Sequence, residues 1–221
     1  MSWIEQPIFF VDFEGSRVSG VLEYGVATVL HGQVTAASTR LCGPVGPVRP
    51  EDTAVHGLRA EALAANPPFA DEWETFASLR EQGPLAAHYA GVENALLKAT
   101  WPYPRNSPDF ARLGARVIDW GPWVDSARIY AQLYPQFASG RLETLVAAAG
   151  LQGELDVLAR RFCPEKRRFY HAALYDALAG ALLLASLARD PQLAPLTTMQ
   201  LLALSTLDGE KRETLQQREL F

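Results

Sequence analysis

The residues best suited to chemistry are two acidic side chains that follow a short apolar run. Asp12 and Glu14 come after residues 8–11, Ile-Phe-Phe-Val, a pattern that predicts a buried strand. Because residues two apart in a strand share a face, both carboxylates lie side by side at its end. Two close anions need a cation, and carboxylate oxygens suit Mg²⁺ or Mn²⁺ better than zinc. Taken alone, Asp-x-Glu is so common that a solvated strand end is the better interpretation.

A second acidic element opens an Ala/Leu-rich helix predicted over residues 172–188. Asp176 lies in its second turn, and small residues one turn to either side allow the backbone to approach a sheet closely. Such an approach would deliver the carboxylate to the sheet. His171 stands just before or at the start of this helix, free to face the same place. An isolated aspartate on an apolar helix is more often a capped or solvent-facing residue.

The third element is a predicted strand that ends at His88, followed by a short loop and a helix. Glu93 lies in the first turn of that helix. An acid at this position also interacts favourably with the helix dipole, so a purely structural explanation is adequate for it alone.

The elements around these residues predict an α/β domain with a mixed sheet. Strands at residues 8–11, 22–30 and 34–41 form an antiparallel meander, in which the turn His31-Gly32 joins the last two. After a Pro- and Gly-rich connection, strands at 84–87 and 116–120 alternate with helices at 71–82, 92–100 and 123–134. Further helices are predicted at 141–149, 172–188 and 196–207.

Composition narrows the class of protein. The chain has 221 residues, with 25 acidic and 20 basic side chains, and its hydrophobic share of 48% is typical of a globular protein. No apolar run is long enough for a membrane span, and the start of the chain lacks the pattern of a secretory signal. We therefore expect a cytoplasmic protein with no membrane partner. Cys42 and Cys163 have no zinc-type spacing, which predicts reduced thiols.

Together and in this order, the three acidic elements resemble the DEDDh family of 3′–5′ exonucleases, which includes the proofreading subunit of bacterial DNA polymerase III and RNase T. Residues 10–14 match the first motif of the family, residues 55–58 its substrate-side loop, and His171 with Asp176 its third motif. The resemblance implies an RNase H-like mixed five-stranded sheet flanked by helices. It assigns residues 1–190 to an exonuclease domain and 191–221 to a C-terminal helical extension and tail.

The resemblance also implies a mechanism and a set of site residues. The protein would release 5′-nucleoside monophosphates from DNA or RNA, using two Mg²⁺ or Mn²⁺ ions. His171 would take a proton from the attacking water, and His56 and Gly57 would lie along the terminal nucleotide. The implied metal ligands are Asp12, Glu14, Glu93 and Asp176.

One departure concerns the second motif. The family pattern resembles His-Asn-Ala-x-Phe-Asp, whereas this chain has His88-Tyr-Ala-Gly-Val-Glu93. Glutamate keeps the charge but adds a methylene, which bears on rate and metal preference more than on reaction type. The alternative is a nucleic-acid-binding accessory module of a replication or repair complex that keeps the fold but has lost efficient chemistry. The presence of His171 and all four carboxylates argues against it.

A basic cluster precedes His171 and supports nucleic-acid binding without any family argument. Aromatic side chains are interleaved with it, so phosphates and bases could both be contacted. A solvated charge run is the alternative. The cluster comprises Arg160, Arg161, Lys166, Arg167 and Arg168.

The last residues resemble the peptide by which bacterial replication and repair proteins bind the sliding clamp. Gln217 would provide the hydrogen-bonding side chain, and Leu220 and Phe221 the apolar anchors, although Arg218 replaces a leucine of the motif. The alternative is a helix from about residue 210 that docks on the surface of the domain itself.

Overall fold

The structure is a computed structural model that describes residues 2–137 and 140–206. Within these ranges it contains seven strands and nine α-helices. The strands are β1 (Ile8–Ser16), β2 (Gly20–Leu30), β3 (Gln33–Leu41), β4 (Leu85–Ala87), β5 (Ser107–Pro108), β6 (Arg116–Val117) and β7 (Trp123–Asp125). The helices are α1 (Pro50–His56), α2 (Ala60–Leu63), α3 (Trp73–Gln82), α4 (Gly91–Thr100), α5 (Ser126–Leu133), α6 (Leu142–Ala148), α7 (Gln152–Phe162), α8 (Ala173–Ser186) and α9 (Thr198–Leu204). The predicted partner-binding residues Gln217, Leu220 and Phe221 lie outside the described residues.

The predicted mixed five-stranded sheet is confirmed, with strand order β3-β2-β1-β4-β7. β1, β2 and β3 form the antiparallel meander, and β4 and β7 continue the sheet in parallel with β1. β1 is longer than predicted, so Asp12 and Glu14 lie inside the paired strand rather than beyond it. A bulge between Glu14 and Gly15 shifts its register against β2.

The prediction of the fifth strand at residues 116–120 was wrong. Only Arg116–Val117 is extended, and it pairs with β5 in a separate two-stranded sheet, while Trp120 is buried in the core. The fifth strand is β7, inside the segment predicted to start a helix at residue 123. The helix starts at Ser126, because the Asp125 side chain accepts a hydrogen bond from the Arg128 N–H (3.2 Å) and caps it.

Helix α8 packs closely across β1 and β2, and two glycines make this possible. A Cβ at Gly25 on β2 would lie 2.4 Å from the Cα of Leu174, and one at Gly180 would lie 2.1 Å from the Phe10 ring. Larger residues at either position would push α8 away from the sheet. All residues of α8 from Ala173 to Ala185 are buried, which confirms the predicted close approach of this helix to the sheet.

The opposite face of the sheet carries an aromatic core. Phe13 and Tyr24 point into it and meet Phe69 and Phe76, and Trp101 packs on these two phenylalanines. The ring centroids of contacting pairs lie 4.6–5.9 Å apart. Since Phe13 alternates with Asp12 and Glu14 along β1, the two carboxylates face the α8 side. One strand therefore supplies the core on one face and the acidic residues on the other.

Residues 191–206 pack against the edge of the sheet. The backbone N–H of Asp125 on β7 donates to Ser205 Oγ (3.1 Å), and Trp3 N–H donates to the carbonyl of Leu196 (2.9 Å). Cys42 and Cys163 are buried free thiols, as predicted. Among the described residues, no helix combines the length and apolar character needed to cross a membrane.

Candidate active site

The end of β1 and the start of α8 meet at a cluster of possible ligands. One ligand atom from each of Glu14, His171 and Asp176 lies within 4.8 Å of the other two. The close packing of α8 over Gly25 creates this meeting point, because Gly25 pairs with Asp12 across the sheet. The structure thus brings together residues from the first and third motifs that are more than 150 positions apart in the sequence.

Asp12 lies within the electrostatic reach of the same cluster. Burial raises its pKa well above the usual range, and the charges of Asp176, Glu14 and Glu93 raise it further. An acid in these surroundings resists ionisation unless a cation is present.

Glu93 reaches the site from the first turn of α4. It is only 5% exposed, and its Oε2 atom has no hydrogen-bond partner. Burial raises the pKa of Glu93 to about 8, with Asp125 contributing in the same direction. The loop before α4 is fixed by Asp125, whose carboxylate accepts hydrogen bonds from the N–H groups of Tyr89 (3.3 Å) and Ala90 (3.1 Å).

Asp176 and Glu14 complete the acidic set. Burial raises the pKa of Asp176 to about 7, although a hydrogen bond from the His171 N–H to its Oδ2 atom (2.9 Å) opposes the rise. Burial and the charge of Asp176 raise the pKa of Glu14 to about 8. Asp176 is 9% exposed, and its Oδ1 atom has no partner.

These observations fit a divalent metal site. The buried carboxylates repel one another, and two of their oxygens, Oε2 of Glu93 and Oδ1 of Asp176, have unused acceptor capacity. A buried polar atom without a partner costs free energy, and a divalent cation would satisfy both the lone pairs and the excess charge. The donor set is mostly carboxylate oxygen, which favours Mg²⁺ or Mn²⁺.

His171 is exposed next to the carboxylates and adopts a left-handed backbone conformation with φ of 66°. Such a conformation is unfavourable for a residue other than glycine and persists where surrounding contacts enforce it. Here the His171 N–H donates to Asp176, and its carbonyl accepts from Arg167 (3.3 Å). Both the N–H and the carbonyl of His171 are therefore held, which fixes the backbone position of this residue beside the carboxylates.

His56 ends α1, and Gly57 follows it with φ of 74° in the αL position typical of a helix C-terminus. The His56 side chain is only 3% exposed, and its Nδ1 atom accepts a hydrogen bond from the Leu58 N–H (3.0 Å). Burial lowers the pKa of His56, which favours the neutral imidazole. Arg167 donates to the His56 carbonyl (2.6 Å), which connects this loop to the segment before His171.

The predicted basic cluster divides into two groups. Arg160 and Arg161 lie at the end of α7, a helix that the sequence analysis did not predict, and they are exposed together with Lys166 and Arg168. Arg167 differs, because it points inward and forms an ion pair with Glu23 of β2. Four of the five cations therefore remain on the surface.

Solved exonuclease structures share this architecture. Exonuclease X, solved with a duplex DNA bearing a 5′ overhang, has a TM-score of 0.62 at 17% identity, over 91% of this chain and 99% of its own. The nuclease domain of 3′hExo, a DEDDh family member solved with rAMP, has a TM-score of 0.60 at 12% identity, over 86% and 96% of the two chains. The chain has the fold of the DEDDh 3′-exonucleases.

The same fold forms part of a larger enzyme. Exonuclease I from E. coli, solved with single-stranded DNA and zinc, has a TM-score of 0.61 at 15% identity. The match covers 86% of this chain but only 42% of that enzyme. No protein-family model and no curated protein match the sequence. The predicted RNase H-like fold is thus confirmed by structural similarity alone.

Within this fold, Glu23 is a buried acid that was not predicted from the sequence. It lies on β2 directly opposite Glu14, and it is only 2% exposed. Its charge raises the pKa of Glu14 and of Asp176, so it belongs to the electrostatics of the site. The available signal was a single charged residue, Glu23, inside the otherwise apolar stretch 21–30.

Proposed function

We propose that this protein is a metal-dependent 3′–5′ exonuclease that releases 5′-nucleoside monophosphates from a nucleic acid. The observation that carries the proposal is the cluster of Glu14, Asp176 and the exposed His171, whose ligand atoms lie within 4.8 Å of one another. Asp12 interacts electrostatically with Glu14, Asp176 and Glu93 and so extends this acidic set. The shared fold with exonucleases supports it. An accessory module that only binds nucleic acid would need no such concentration of acidic side chains.

Asp12, Glu14 and Asp176 are the proposed ligands of two divalent ions, with Glu93 completing the set. Each is an oxygen donor, and burial raises the pKa of all four carboxyl groups. The ions, when bound, would supply charge stabilisation for the scissile phosphate and for the attacking and leaving oxygens. The protein contributes fixed positions, because β1, α4 and α8 are all buried on their inner faces.

His171 is proposed to take the proton from the attacking water. Its imidazole is exposed, while hydrogen bonds to Asp176 and Arg167 hold its backbone in place. The ring is therefore accessible to solvent and attached to a fixed backbone position. An imidazole nitrogen can accept a proton and later release it, which suits this role.

The proposed substrate is a strand with a free 3′ end. Arg160, Arg161, Lys166 and Arg168 supply exposed positive charge on the segment that leads to His171. The structural neighbours were solved with duplex DNA, single-stranded DNA and rAMP, so the fold accommodates both sugars. We therefore propose nucleic acid as the substrate class without assigning DNA or RNA.

The test is release of mononucleotides from 3′-labelled DNA and RNA oligonucleotides of matched sequence, in Mg²⁺ or Mn²⁺. We expect release in at least one metal, and loss of release with a chelator or with Asp12→Ala. Asp71→Ala, which removes an exposed carboxylate in the short turn before α3, is the matched control and should retain activity. Binding of both oligonucleotides without cleavage in either metal would contradict the proposal.

A further inference from the structure

Glu23 and Arg167 form a buried ion pair beside the site. Glu23 is 2% exposed and the Arg167 side chain 13%. Arg167 Nε donates to Glu23 Oε1 (3.2 Å), and Nη2 contacts Oε2 in a two-point interaction. The pair connects β2 to the short 3-10 turn at Glu165–Arg167. Removing charged groups from water is costly, so a buried pair of this kind needs a compensating role or compensating contacts.

The guanidinium of Arg167 makes such contacts with two further segments. Nη1 donates to the carbonyl of His56 (2.6 Å), and Nη2 donates to the carbonyl of His171 (3.3 Å). One planar side chain therefore joins the sheet, the end of α1 and the residue proposed to move the proton. The rigid fork of arginine allows this arrangement, whereas lysine has a single nitrogen and could not span the three partners.

Glu23 in turn holds the start of α8. Its Oε2 atom accepts a hydrogen bond from the N–H of Ala173 (3.1 Å), the first residue of the helix. Ala172 occupies the N-cap position of α8 and has no side chain that could cap it. The Glu23 carboxylate on the neighbouring strand thus replaces an N-cap side chain. Its negative charge also interacts favourably with the positive end of the helix dipole.

We propose that Glu23 and Arg167 are positioning residues that fix His171 relative to the carboxylates and to the His56–Gly57 loop. The inference rests on the proposed nuclease function for its kinetic consequence, but the contacts exist independently of it. It also gives Arg167 a different role from the phosphate contact predicted from the sequence. Most of the donor capacity of this guanidinium is used inside the protein, unlike that of the exposed Lys166.

Two variants separate positioning from simple stabilisation. Arg167→Met removes the fork and leaves Glu23 buried without its cation, so both melting temperature and kcat should fall. Adding Glu23→Gln removes the unpaired charge and keeps an oxygen for the Ala173 N–H. In the double variant the melting temperature should recover, because buried pairs can be replaced by neutral groups with little loss of stability. Its kcat should stay about 10- to 100-fold below wild type, with KM changed much less, because His171 remains misplaced.

A matched control is the ion pair between Arg40 and Glu72, which lies beside Tyr24 on the other face of the sheet. Arg40→Met also leaves a buried glutamate without its partner, so it should lower the melting temperature while kcat stays at the wild-type value. Arg167→Lys keeps the charge with little risk to folding, and it should still lower kcat. Recovery of kcat together with melting temperature in the double variant would overturn the positioning role. A salt-dependent rise in KM with unchanged kcat in Arg167→Met would instead indicate that Arg167 contacts a phosphate, as the sequence predicts, and would overturn the positioning role.

A readout without substrate keeps the two proposals separate. Amide hydrogen exchange at residues 171–173 should be faster in Arg167→Met and in the double variant than in wild type, and unchanged in Arg40→Met. Unchanged exchange in the Arg167 variants would overturn the positioning role even if the protein is an active nuclease. Conversely, a wild-type protein that cleaves no oligonucleotide would refute the proposed function. The exchange measurement would still test whether Glu23 and Arg167 hold residues 171–173 in place.

Discussion

Replacing Asp176 with asparagine should stabilise the metal-free protein while abolishing the proposed activity. Asp176 is 9% exposed, and burial raises its pKa from 3.8 to about 7. The folded protein therefore binds the proton more tightly than the unfolded chain does. The contribution of this group to stability is greatest below about pH 4 and is lost as the pH rises through about 7. Asparagine does not titrate, so the variant avoids this loss.

The magnitude follows from the shift. About three pKa units correspond to about 4 kcal/mol at pH 8. Because the remaining carboxylates redistribute their protons when one charge is removed, we expect about half of this, about 2 kcal/mol. For a chain of this size the melting temperature should rise by about 4–8 °C. At pH 4 the same substitution should change it little.

The assay is thermal unfolding of wild type and Asp176→Asn in a chelator between pH 4 and pH 8, repeated with Mg²⁺ and Mn²⁺. Saturating metal stabilises whichever protein binds it, by about 2.7 kcal/mol at 100 times the dissociation constant. The order of stability should therefore reverse, with the variant more stable in chelator and wild type more stable in metal. Asp71→Asn is the control and should show neither effect. A variant that is no more stable than wild type at pH 8 in chelator would refute the electrostatic account of the site.

Three further outcomes test individual side chains. His171→Ala should lower kcat by about 10²–10⁴ with little loss of nucleic-acid affinity, and an equal loss of both would indicate a binding role instead. Glu93→Asp withdraws the carboxylate by about 1.5 Å and should lower the rate, whereas unchanged Mg²⁺ and Mn²⁺ titration curves would show that Glu93 is not a ligand. Lys166→Ala should raise KM and reduce the slope of log affinity against log salt by about 1, and an unchanged slope would place Lys166 away from the phosphates.

The acidic residues could be predicted from the sequence because each lies on a regular element with a clear pattern. The apolar run before Asp12 has β-branched and aromatic residues, and the Ala/Leu composition of residues 172–188 is unambiguous for a helix. Strand periodicity then places Asp12 and Glu14 on one face, as the structure shows. What the sequence could not give was the distance between elements, which depends on the contact of Gly25 with α8.

The errors occurred where short elements depend on tertiary context. β7 has only three residues, and the pattern of Trp123 and Val124 continues into the helix without a break, so strand and helix could not be separated. Helix α7 was not predicted, because its charged residues indicate a binding surface as readily as a helix. Arg167 was grouped with its basic neighbours because nothing in local sequence distinguishes an inward-pointing arginine from an exposed one.

The pairing of Glu23 with Arg167 also reduces the electrostatic repulsion among the acidic side chains of the site. Five acidic side chains, Asp12, Glu14, Glu23, Glu93 and Asp176, act on one another through space, and Arg167 is a cation that lowers the pKa of Glu14 and of Asp176. Pairing it with Glu23 neutralises the one acid of this set that also caps α8, whereas the other four form no ion pair with any described residue. A site built only for stability would pair those as well. The four unpaired carboxylates are therefore the ligands that a divalent cation requires. The paired carboxylate, Glu23, holds the start of α8, the helix that brings Asp176 to the site.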